Sequence, residues 1–101
     1  MAKVVWAEPA LSDLDAIGDH IALDNVEAAK KIIRKVFDKV DLLEKNQSLG
    51  RVPRDLKKTP YRKLIINPVY VYYRIDGDTV VILHVARSER NFDMSRITDA
   101  D

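Results

Sequence analysis

Apolar residues change their spacing along this chain, and each change marks a new element. Lys3-Val4-Val5-Trp6 is a short β-branched and aromatic run closed by Glu8-Pro9. It predicts a strand that stops where proline would interrupt a ladder. Ala10, Leu14, Ile17 and Ile21 then recur at helical spacing, which predicts an amphipathic helix with one buried stripe. Asp13, Asp15 and Asp19 fall off that stripe and read as a solvated face whose early acids suit the helix dipole. Asp24, with Glu27 three residues on, has capping-box spacing. Ala29, Ile32, Ile33, Val36, Phe37, Val40 and Leu43 follow as a second, longer helix that ends over Asn46 to Gly50. So short a connection predicts an antiparallel helical hairpin with a shared apolar face.

The second half alternates at strand period. Arg62 to Ile66, Val69 to Ile75 and Thr79 to Ala86 are rich in Val, Ile and Tyr, with Asn67-Pro68 and Asp76-Gly77-Asp78 as breaks. Asp-Gly between such runs is a tight-hairpin signal, so the three runs predict a meander. Residues 91 to 101 carry little apolar periodicity and predict an irregular tail. The order is β-α-α-β-β-β, an α+β domain with an N-terminal helical hairpin packed on one face of an antiparallel sheet.

Composition narrows the function classes. A chain of 101 residues with 47% hydrophobic positions fits one domain spanning 1–101. It has no cysteine, which excludes a disulfide framework, a cysteine-ligated metal and a cysteine nucleophile. No apolar run approaches the roughly 20 residues of a membrane span, and the N-terminus lacks a secretory pattern, so a soluble cytoplasmic protein is expected. The formal net charge of +1 hides an uneven distribution: Arg51, Arg54, Lys57, Lys58, Arg62 and Lys63 stand against the single acid Asp55 within residues 51 to 63. Such a patch suits a polyanionic or acidic partner, or else forms a solvated basic loop.

Strand parity then sorts the candidate chemistry. Tyr70, Tyr72 and Arg74 share one face of the third strand, and Val69, Val71 and Tyr73 the other. On the fourth strand Val81, Leu83, Val85 and Arg87 oppose Val80, Ile82, His84 and Ala86. A face or edge gathering Arg62, Arg74, Arg87 and Arg90 beside tyrosines would suit phosphates and stacked bases, although alternating tyrosines also build half-buried sheet faces. His84 has the chemistry of a general acid or base, but between Leu83 and Val85 it also reads as a partly buried, hydrogen-bonded side chain. His20 reads as a surface residue. No metal or cofactor is expected, since no element repeats His or carboxylate at ligand spacing and three glycines cannot make a phosphate-cradling loop.

Taken in order, Trp6-Ala7-Glu8-Pro9-Ala10-Leu11-Ser12-Asp13-Leu14 with Ile17 and Ile21, Ala28-Ala29, Leu43, Gly50-Arg51, Tyr61-Arg62-Lys63-Leu64, Tyr70-Val71-Tyr72-Tyr73-Arg74 and Val81-Ile82-Leu83-His84-Val85-Ala86-Arg87 resemble the RelE/ParE superfamily of bacterial type II toxins. The resemblance covers nearly the whole chain. It implies a small toxin of a toxin–antitoxin or plasmid-stabilisation module, bound in a hetero-oligomer by a cognate antitoxin. Such a toxin either inhibits DNA gyrase, as ParE-like members do, or cleaves mRNA on the ribosome, as RelE-like members do. RelE-like nucleases place an arginine early in the third strand and a tyrosine or histidine after the fourth. Here those places hold Val71 and, beyond Arg87-Ser88-Glu89-Arg90, Phe92 or Met94. Phe92 cannot move a proton, so the resemblance implies the gyrase-directed branch, with target contacts at Arg62, Arg74, Arg87, Arg90, Tyr70 and Tyr72. The nuclease alternative would use Arg62, Arg74, His84, Arg87 and Arg90. A non-toxic basic nucleic-acid-binding module is the third possibility.

Overall fold

The computed structural model describes residues 1–54 and 58–87. β1 spans Lys3–Trp6, α1 Glu8–Ala22 and α2 Val26–Asp41, followed by a 3-10 turn at Leu42–Glu44. β2 (Tyr61–Ile66), β3 (Val69–Asp76) and β4 (Thr79–Ala86) complete the order. The predicted element order is therefore the observed one. The predicted tail from 91 lies outside the described residues.

The sheet runs β1-β4-β3-β2. The β2–β3 and β3–β4 pairs are antiparallel, as the meander requires, whereas β1 lies parallel to β4. The sheet is thus mixed rather than wholly antiparallel. Turn signals fix the sense of strands joined by short loops, and they say nothing about β1, which meets β4 only after a long connection. Lys3 N–H donates to the Asp78 carbonyl at 2.8 Å, and Ala7 N–H donates to the Ile82 carbonyl at 2.9 Å. These two bonds bracket a ladder of four residue pairs.

α1 begins directly behind β1 with proline in its first turn, where no amide donor is needed. The cap of α2 is Asn25, not Asp24: Asn25 is extended and its side-chain oxygen accepts the Ala28 N–H at 3.0 Å. The Asp24 and Asn25 amides both donate to the Ile21 carbonyl, which holds Asp24 inside the turn. Glu27 then falls one position short of the reciprocal capping-box place. Gly18 lets the helices close, since a methyl group there would meet Ile33 Cδ1 at 2.7 Å.

The core lies between the helices and one sheet face. Ala10, Leu14, Ile17, Val36, Val40 and Leu43 pack on Leu64, Ile66, Val69, Val71, Val80, Ile82 and Val85. Trp6 and Phe37 meet at a tilt of 47° with ring centroids 5.0 Å apart and tie β1 to α2. Among the described residues, no helix is long and apolar enough to cross a membrane.

Tyr73 stands fully buried in this layer and carries a polar end. Its hydroxyl donates to the Gln47 carbonyl at 2.7 Å and accepts the Gly50 N–H at 2.9 Å. The Gly50 carbonyl in turn accepts from Arg62 Nη1 at 2.9 Å. One phenol therefore ties the segment after α2 to the middle of the sheet. A Cβ at Gly50 would sit 2.8 Å from the Lys63 carbonyl oxygen and from the Tyr73 ring, so only glycine fits there.

Tyr73→Phe strands the buried Gly50 N–H and frees the part-buried Gln47 carbonyl, and should cost about 1–3 kcal/mol, a fall of several degrees in melting temperature for a domain this size. Gly50→Ala should cost at least as much by overpacking. Thermal and urea melts measure both. A Tyr73→Phe protein that melts with the parent would show that the phenol does not hold the loop.

Candidate functional site

The sheet face turned away from the helices is the candidate site. Register places Tyr61, Lys63 and Ile65 of β2 there, with Tyr70, Tyr72 and Arg74 of β3. Tyr61, Tyr72, Leu83 and Ala86 form a second buried cluster, against which Tyr70 and Val81 pack. Lys63 Nζ lies 5.4 Å from the centroid of the Tyr70 ring, within the range of a cation–π contact. Arg51 is bridged to Lys63 by a pair of 2.7 Å backbone hydrogen bonds. Burial, and then the nearby Arg51 guanidinium, hold the Lys63 ammonium below the ordinary lysine range. Sequence reasoning missed Lys63 as part of this group, although its strand parity with Tyr61 was available.

Tyr70, Tyr72 and Arg74 share the face as parity predicts. Arg87 follows β4 and is exposed. Arg62 stands on the opposite side. It pairs in register with Tyr73, and its guanidinium donates to the Gly50 carbonyl and, at 3.5 Å, to that of Ser48. The expected single set is thus divided, because alternation puts Arg62 on the helix side of β2. Arg90, Phe92 and Met94 lie outside the described residues.

A bulge in β4 changes the parity beyond Ile82. Tyr73 faces Ile82, but Tyr72 faces His84, so Leu83 is the extra residue. Val85 consequently joins the helix-side core and Ala86 the open-face cluster, the reverse of strict alternation. Sequence pattern cannot reveal such an insertion, since Leu83, Val85 and Ala86 are apolar on either count.

The bulge also explains His84 and Asp13. Val85 N–H donates to Asp13 Oδ2 at 3.0 Å, and His84 Nδ1 lies 3.2 Å from the same oxygen. The two side chains are 5% and 17% exposed. A carboxylate oxygen only accepts, so a hydrogen bond between them places the proton on Nδ1. His84 is the hydrogen-bonded, buried histidine of the sequence reading. Asp13 is not part of a solvated face, whereas Asp15, Asp19 and His20 are exposed.

Val71, at the early third-strand position, is completely buried in the core. Burial, followed by the neighbouring Tyr70, pushes the Tyr72 phenol up. Burial also pushes Tyr73 up, against the Gly50 hydrogen bond and the Arg62 charge, which lower it. Among the described residues no three metal-ligating side chains come together. On this face Lys63, Tyr70 and Arg74 are half-buried and Ile65 is exposed, while Tyr61 and Tyr72 are buried.

The residue-level picture has close counterparts. A family model described as ParE toxin of type II toxin-antitoxin system, parDE, matches residues 4–92. The RelE2 toxin of Caulobacter vibrioides is 37% identical over 91 residues, covering 86% of this chain and 99% of the relative. The solved chromosomal ParDE system of P. aeruginosa contains a chain that superposes with a TM-score of 0.72 at 31% identity, covering 88% of this chain and 98% of that one. The Staphylococcus aureus YoeB dimer shares the fold at a TM-score of 0.55 and 16% identity, with 82% and 92% of the two chains covered.

Two outcomes follow from this geometry. Arg62→Ala should lower stability by about 1 kcal/mol through its lost bond to Gly50, while Arg87→Ala should stay within ~0.5 kcal/mol of the parent; equal melts for the two would contradict the division. In alkali, the unfolded chain releases its phenolic protons near pH 10, before Tyr72 and Tyr73 release theirs in the folded chain. Their contribution is fully present below that pH and is lost as pH rises through the folded-state values. Tyr73→Phe should therefore flatten the alkaline loss of stability, as read by melts at stepped pH.

Proposed function

The chain belongs to the ParE family of type II toxin–antitoxin toxins, and from that premise we propose that it inhibits DNA gyrase in the cytoplasm through the open face of its sheet, by binding and not by cutting nucleic acid. A toxin of this class is paired with a cognate antitoxin. The observation that carries the gyrase-directed choice is Val71. A metal-free RNA cleavage needs cations on the phosphorane and groups that move protons at the 2′ and 5′ oxygens. Where RelE-like nucleases place a third-strand arginine, this chain puts a valine with no exposed surface. Its strand histidine is held by Asp13. The contacts proposed for the target are Arg74, Arg87, Tyr70 and Tyr72, with Lys63 beside them and Arg90 following in sequence. Arg62 acts on the fold first.

The second reading is ribosome-dependent mRNA cleavage. The Caulobacter relative's RelE2 name favours it, as does the cationic character of the open face.

Induction without antitoxin separates the two. Cells should filament and accumulate DNA breaks while transcripts stay intact, and Arg87→Ala should abolish the effect. Codon-phased cuts on purified ribosomes, lost in His84→Ala or Arg87→Ala, would transfer the chain to the nuclease branch. The antitoxin should raise the melting temperature strongly, since a partner at 1,000 times its dissociation constant adds ~4 kcal/mol by mass action. An unchanged melt at saturating partner would contradict the pairing.

A further inference from the structure

β1 reaches only as far as Ile82 along β4, and β4 continues to Ala86. Among the described residues, 83–86 therefore have no strand neighbour on that side, and the bulge at Leu83 falls where the ladder ends. A buried N–H left there would lose a hydrogen bond's worth of solvation. α1 supplies the missing acceptor, because Asp13 Oδ2 takes the Val85 N–H at 3.0 Å and also meets His84 Nδ1 at 3.2 Å. One oxygen on a helix thus does the work of an absent strand, two residues before Arg87. Bulges re-aim the strand that carries them, and a contact fixing the bulged segment fixes where the chain leaves the sheet.

We propose that Asp13 is a positioning residue for the target surface: its carboxylate holds the bulged end of β4 so that Arg87 leaves the sheet in the direction the target requires. This rests on the proposed function, in which Arg87 touches the target. Asp13 is largely buried beneath β4, so its influence travels through Val85 and His84. The coupling joins the first helix to a residue that sequence places 74 positions later.

A double-mutant cycle tests this with the full-length chain. Growth inhibition is titrated for the parent, Asp13→Ala, Arg87→Ala and the double variant, each normalised to folded protein by circular dichroism. Asp13→Ala should lose tenfold or more in potency, yet add less than twofold in the Arg87→Ala background, since groups acting as one unit are not additive. Val85 amide exchange should rise in Asp13→Ala while Val71 stays protected. Asp13→Asn, whose amide oxygen still accepts the Val85 N–H, should fold and recover potency to within about threefold of the parent; it also serves as the readout if the alanine variant unfolds. The inference is overturned if Asp13→Ala costs the same factor in both backgrounds, if it folds with full potency, or if a folded Asp13→Asn fails to recover. Full potency of Arg87→Ala alone has a different signature: it removes the site reading on which the inference stands.

Discussion

A first strand of four residues lies against a fourth strand of eight, and most of what distinguishes this molecule follows from that mismatch. Beyond Ile82, β4 keeps β3 on one side, but among the described residues it has no strand on the β1 side. There the Val85 N–H donates to the Asp13 carboxylate, and the bulge turns Val85 to the helices and Ala86 to the other side. His84 Nδ1 meets the same Asp13 oxygen at 3.2 Å. Among the described residues every buried side-chain polar atom is satisfied, which is what a small core tolerates, since each unsatisfied group costs about 1–3 kcal/mol against a total stability of some 5–15.

The two faces of the sheet do different work. On the helix side, Tyr73 and Arg62 carry polar groups into a largely apolar layer, and both fasten the loop after α2. On the other side Tyr61 and Tyr72 are buried, Lys63 sits over the half-buried Tyr70, and Arg87 stands exposed at the end of β4. Arg62 and Arg87 look alike in sequence. Their surroundings differ: Arg62 bonds the Gly50 carbonyl, whereas Arg87 is exposed.

The element order was legible because each run keeps a clean period: three to four residues in Ala10, Leu14 and Ile17, and two in Val69, Val71 and Tyr73. The hairpin at Gly77, with its positive φ of 62°, was legible for the same reason, as only a few residue types accept that conformation. What escaped has a common cause. The parallel seating of β1, the bulge at Leu83 and the burial of Asp13 all depend on residues far apart in the chain. A one-residue insertion among apolar side chains leaves no trace in local pattern, and an aspartate that meets a backbone amide 72 positions away is indistinguishable in sequence from one that meets water. For the site, parity correctly grouped Tyr70, Tyr72 and Arg74. Grouping Arg62 with Arg74 and Arg87 missed that the same parity, counted from Tyr61, sets Arg62 on the helix side.

The central claim is that the open sheet face binds the target. Amide-exchange mapping of the full chain with purified gyrase addresses it most directly. The account predicts protection along β3 at Tyr70, Tyr72 and Arg74 and at the end of β4 up to Arg87, with the solvent side of α2 around Lys31, Arg34 and Lys35 unchanged. Protection confined to α2, or none at gyrase concentrations that saturate inhibition, would contradict it.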